Sequence, residues 1–181
     1  MSKKNLFATS KKSYGKNYDQ HLYEEYKLYV EGIEKVSDRR QSANNYFLTI
    51  NTVIISFTQI AGSLEVAGFN HNLKRWIFVL GVTICAIWWY LIRAYKQLNA
   101  GKFNVIHQIE NKLPLRLYSF EWDILKQGKD RNVYYPFSHI ELLVPWVFAL
   151  IYLAILFSSL SILISPSINQ EAISLITIIF K

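Results

Sequence analysis

Four histidines, thirteen Asp/Glu carboxylates and a single cysteine are the side chains of this 181-residue chain best suited to ligating a metal. The histidines, His21, His71, His107 and His139, fall in different segments. His107-x-x-Glu110 puts two potential ligands on one helix face, a spacing used in di-metal bundles. Such a site needs matching ligands from other helices, and a solvated or locally hydrogen-bonded pair is the plainer reading. Cys85 lies in an apolar run; with no second cysteine it can form neither an internal disulfide nor a thiolate metal site, and it reads as a small packed hydrophobe. There is no Gly-rich phosphate loop, no CxxC and no HExxH. The expectation is a protein that is not an enzyme and carries no metal or cofactor.

The most regular pattern is uncharged. Asn45, Thr49, Thr52, Ser56, Gln59 and Ser63 recur at steps of 4, 3, 4, 3 and 4 inside an apolar stretch, on one narrow helix face. Asn44, Asn51 and Thr58 fall just beside it. Phe47, Ile50, Val53, Ile54, Phe57 and Ile60 form an opposite face suited to lipid. Uncharged polar groups in hydrocarbon need partners, so the polar face meets another protein helix or water. Two uses stay open: interhelical packing with hydrogen bonds of about 0.6–2 kcal/mol each, or the wall of a water-filled path. Asn45, Thr49, Asn51, Thr52, Ser56 and Gln59 are the candidate residues of this oligomer or axial face.

Such a row requires a membrane-crossing element, and the composition supplies several. Half of the residues are hydrophobic and lie in blocks, with aromatic residues at block ends, as membrane interfaces require. Residues 1–16 form a basic, flexible tail able to lie on anionic headgroups at roughly 1 kcal/mol per charge. Over 17–43, Tyr18, Leu22, Tyr26, Tyr29, Ile33 and Val36 predict a cytosolic amphipathic helix. Asp38-Arg39-Arg40 forms a charged collar ahead of the first span. Spans are expected at 44–68, 76–92 and 142–164, with a turn around Gly68–Asn72 between the first two. The Trp88-Trp89-Tyr90 belt closes the second span, and Trp146 belongs to the same interface; Pro145 is read into the first turn of the third. Residues 165–181 read as an extracytoplasmic tail whose apolar stretch, Ala172 to Phe180, is too short to cross and is left to lie on the outer surface, re-enter or pack on a neighbour. No charge sits mid-span, which argues against ion-coupled transport through buried carboxylates. No cleavable leader is expected at the N-terminus, so the spans direct insertion.

Orientation follows from basic residues. Nine Lys/Arg precede the first span and eight lie in 93–141, against two between spans one and two and one after span three. The expected fold is therefore an all-α membrane protein with three transmembrane helices, N-terminus in the cytosol and C-terminus outside. The segment 93–141 is far longer than a connection needs. Its first part is helical from Tyr95 to Leu113, continuing span two past a weakening Gly101, and Pro114 stops it. Aromatics beside carboxylates follow, and these make a packed cytosolic layer or, as the alternative, a ligand pocket. Candidate residues of the layer are Leu98, Asn99, Lys102, Phe103, Ile106, Glu110, Pro114, Tyr118, Glu121 and Trp122. Lys102 and Glu110, eight apart, are too distant to pair with each other on one helix.

The run Tyr95-x-x-Leu98-Asn99-x-x-Lys102-Phe103-x-Val105-Ile106-x-x-Ile109-Glu110-x-x-Leu113-Pro114, with Tyr118, Glu121-Trp122 and Pro136-Phe137-x-His139-Ile140-Glu141, resembles the RipA family of octameric bacterial membrane proteins. That resemblance covers about residues 20 to 160. It implies a homo-octamer in the bacterial inner membrane; composition and spacing carry no subunit count, and no activity comes with it. The expected function is a homo-oligomeric, ring-like scaffold or pore with a cytosolic helical layer. The alternative is an accessory or regulatory membrane subunit that binds a protein or small ligand through 93–141. Expected partners are the chain itself and membrane lipids, with anionic headgroups at the N-terminus, and not nucleic acid.

Overall fold

A computed structural model describes residues 5–64, 71–136 and 140–157. Among them every regular element is helical: α1 (Lys11–Tyr14), α2 (Tyr18–Ser63), α3 (His71–Glu110), α4 (Leu117–Ile124), a 3-10 turn (Lys126–Gly128) and α5 (Ile140–Phe157). The turn at Gly68–Asn72, the end of the third expected span and the tail 165–181 fall wholly or largely outside the described residues. Among the described residues two helices, α3 and α5, are long and apolar enough to cross a membrane, and their most apolar stretches are only 28% and 17% buried inside the chain. Soluble core helices of that apolarity would be mostly covered.

α2 runs for 46 residues without a break, so the expected amphipathic helix and the described part of the first span are one element. It does not reach the apolarity of a span by composition, because charged residues fill its first half and the Asn, Thr, Ser and Gln row its second. α3 likewise continues for 40 residues through Gly101. It closes with tightened bonds, Lys112 N–H to the Ile109 carbonyl and Leu113 N–H to the Glu110 carbonyl, ahead of Pro114. Pro145 sits five residues past Ile140, beyond the first turn of α5 as described, and lacks the N–H that would bond the Glu141 carbonyl.

The chain divides into two units, Met1–Asn44 with Leu91–Glu141, and Asn45–Tyr90 with Leu142–Lys181. In unit 1, Ser10 caps α1 by accepting from Ser13 N–H, and Gly15 ends it at φ +99°. The segment then lies along the start of α2: Lys11 pairs with Asp19, and Tyr14 bonds His21 Nδ1 at 2.8 Å. The Lys112 ammonium stands 3.2 Å from the centre of the Phe7 ring, a cation–π contact. Arg40, read as part of an interfacial collar, instead faces Glu141 at 3.5 Å, and Asn44 Nδ2 donates to the other carboxylate oxygen at 3.1 Å.

Unit 2 is a three-helix packing of α2, α3 and α5 around Phe78, Cys85 and Tyr152, with Ile54, Ile55, Val82 and Phe148 against them. Phe47 stacks on Trp88, and Trp89 meets Trp146 edge-on. The close approach of α3 to α5 depends on Gly81: a Cβ there would fall 2.5 Å from the Tyr152 ring. Small residues serve this purpose in membrane helix packing.

Candidate functional site

In unit 2 the polar residues of α2 separate into two faces. Asn45, Thr49, Thr52, Ser56 and Gln59 are all exposed on the chain. Thr52 Oγ1 turns back to the Leu48 carbonyl at 2.8 Å, which satisfies its donor. The carboxamides of Asn45 and Gln59 stay on the surface, each with two donors and an acceptor. Asn51, grouped with this row on sequence, is placed elsewhere. At 100° per residue it stands about 120° round the helix from the row, and it is fully buried. The face read as lipid-suited also divides: Val53, Phe57 and Ile60 are exposed, whereas Phe47 and Ile54 pack within the chain.

Asn51 is the centre of a buried polar node. Its Nδ2 donates to the Phe47 carbonyl at 2.7 Å, and its Oδ1 accepts from the Tyr152 hydroxyl at 3.0 Å and the Cys85 thiol at 3.5 Å. Three helices thus meet on one carboxamide, which a hydrocarbon surrounding makes costly to leave unpaired. Sequence reading missed Tyr152 and Gly81; a lone mid-span tyrosine and a lone mid-span glycine were the available signals.

In unit 1 the corresponding centre is Glu110, also fully buried. Its carboxylate accepts from Tyr118 N–H at 2.8 Å, Ser119 N–H at 2.9 Å, Ser119 Oγ at 2.7 Å and the Tyr26 hydroxyl at 3.3 Å. Arg116, the capping residue of α4, makes no side-chain cap bond, so Glu110 fills that role from the end of another helix. Burial pushes its pKa up, but the bonds from Ser119, Tyr118 and Tyr26 outweigh this and hold it below the ordinary carboxylate value. Burial first, then the Glu110 charge, pushes the Tyr26 hydroxyl up to about 12. This arrangement is an anchor rather than an acid–base pair, because both carboxylate oxygens are already occupied.

The other residues expected in this layer are distributed around that anchor. Lys102 lies 4.8 Å from the centre of the Tyr29 ring, Phe103 meets Tyr118 edge-on, and Ile106 is fully buried. Asn99 is half-buried, with Oδ1 lacking a partner. Leu98, Pro114, Glu121 and Trp122 are exposed. Among the described residues no group of three His, Cys, Asp or Glu converges, at His107 and Glu110 or elsewhere. A shallow cleft of about 480 Å³ lies at the α3–α4 turn, lined by Leu113, Leu115, Leu117, Phe120 and polar residues.

Residues 23–161 match the octameric membrane protein family, 8xMP. The chain belongs to that family. The match takes in α2 from Tyr23 onward, α3, α4 and α5, and therefore both polar centres of this 8xMP chain. Neither the curated proteins nor the solved structures include a match. Family membership bears out the resemblance in kind, and membrane residence and self-association follow from it; the RipA name itself is not part of the match.

Proposed function

We propose that this 8xMP chain is one subunit of a homo-octameric, ring-like scaffold or pore of the bacterial inner membrane. It crosses three times, through α2, α3 and α5, with the N-terminus in the cytosol, the C-terminus outside, and unit 1 as a cytosolic helical layer. The basic residues before α2's apolar half and between α3 and α5 support that orientation. One observation carries the assembly: five uncharged polar residues, Asn45, Thr49, Thr52, Ser56 and Gln59, stand exposed along one face of a helix whose own polar node is turned inward. A polar face outside the chain's packing calls for a neighbouring copy or for axial water.

The deciding experiment is the particle mass in nanodiscs, with class averages viewed down the membrane normal. Eight copies in a closed ring support the reading; a monomer or dimer overturns it. Substituting Thr49, Thr52, Ser56 and Gln59 together by Leu then separates the two uses of the row. Lost ion flux in an intact ring supports a pore, and lost assembly supports packing. Asn51 is left unchanged in that variant, because its removal would disrupt the chain's own interior.

A second reading, an accessory subunit that binds a small ligand or protein through 93–141, draws on the cleft at the α3–α4 turn. Its weakness is chemical. Glu110, the buried charge at its wall, spends its acceptors on α4.

A further inference from the structure

Resting on the reading of this chain as one subunit of an octamer, we propose that the outer face of α4 is a second contact between copies, seated against unit 1 of the neighbouring chain. Eight residues are too few for a helix to persist alone in water, and none of the residues of α4 is buried. What holds α4 is the Glu110 carboxylate on its first turn and the Phe103–Tyr118 edge contact beside it. Neither contact uses Leu117, Phe120 or Ile124. Leu117, Phe120 and Ile124, at i, i+3 and i+7, form one stripe and stand 61%, 68% and 59% exposed, with Leu115 at 67% next to them. Beside the stripe is the cleft of about 480 Å³ into which a partner side chain can enter. A helix anchored at its first turn, with an open apolar stripe and an adjoining cleft, has the form of a contact surface.

Charge selects the occupant. α4 contains Glu121 and Asp123 and no Lys or Arg, the reverse of helices that lie on anionic lipid. Arg116 flanks the stripe at its N-terminal end and lines the same cleft, so the rim is net acidic through Glu121 and Asp123 rather than wholly so, and a rim of that sign suits a basic protein surface. Unit 1 of a neighbouring copy has that sign, since its segments 1–44 and 91–141 hold 17 Lys/Arg against 11 Asp/Glu.

The test replaces Phe120 with the photocrosslinker p-benzoylphenylalanine and irradiates the protein in membranes. The expected product is an adduct of two chains, twice the 21.2 kDa of one. In parallel, the triple variant Leu117→Ser, Phe120→Ser, Ile124→Ser should fall from eight copies to smaller particles while circular dichroism keeps its helical signal. Adducts only with lipid or within one chain, together with an octameric triple variant, overturn the α4 contact. The unsubstituted particle controls for the parent reading: if it is not an assembly, the subunit reading fails first, and that is read from its own mass.

Discussion

Glu110 exchanges water for four hydrogen bonds, and the consequence is measurable. Glu110→Ala leaves Tyr118 N–H and Ser119 N–H without an acceptor, and the expected loss is about 1–3 kcal/mol of stability. Glu110→Gln, which keeps one acceptor oxygen, should lose less. Thermal unfolding gives the ranking; hydrogen exchange at the α4 amides locates it. The pH dependence has a defined sign. Since the folded-state pKa lies below the ordinary 4.5, the contribution is fully present above about pH 4.5 and is lost as pH falls through the lower native value. Exchange protection in α4 should therefore drop on acidification below that point in the native chain and not in Glu110→Gln. Gly81 makes a different kind of prediction: Gly81→Ala pushes a Cβ into the Tyr152 ring, and the expected cost is about 1–3 kcal/mol, read as a lowered midpoint of thermal unfolding.

At the scale of elements, the helices were more legible in the sequence than their junctions. The aromatic stripe beginning at Tyr18 and the apolar run through Ile92 both announced helices, because period and composition agree there. Sequence also anticipated that α3 would pass through Gly101. The continuity of α2 was harder to see, since Asp38-Arg39-Arg40 resembles a boundary until Arg40 is found turned toward Glu141. Asn51 was misgrouped for a geometric reason. A step of three or four places a residue on a face, but sequence does not say which face the rest of the chain covers. Glu110 was singled out by spacing with His107, yet its true partners come from Tyr26, 84 residues away, and from a helix eight residues on. Gly101 has open space around it, so Gly101→Ala should stabilise α3 by about 1 kcal/mol, visible as a raised melting temperature. A decrease would mean that a neighbouring copy packs at that position.

For the whole molecule, the two buried polar centres divide the labour between the units. Each ties three segments to one side chain, and each leaves another surface of its unit uncovered: the polar row in unit 2 and the apolar stripe in unit 1. Under the proposed assembly the two surfaces should respond differently to substitution. Leu on the row alters what passes or packs within the membrane, whereas Ser on the α4 stripe weakens association without touching the spans. Analytical mass measurement of both variants, run side by side with an ion-flux assay, distinguishes them.

The sulfur in the Asn51 node gives the protein a clock of its own. Cys85 is the chain's single cysteine, it is 2% exposed, and its thiol is bonded to Asn51. A membrane-permeant alkylating reagent can therefore react with the native chain only when unit 2 opens. The rate of that one reaction, on the unmodified protein, times the breathing of its three packed helices.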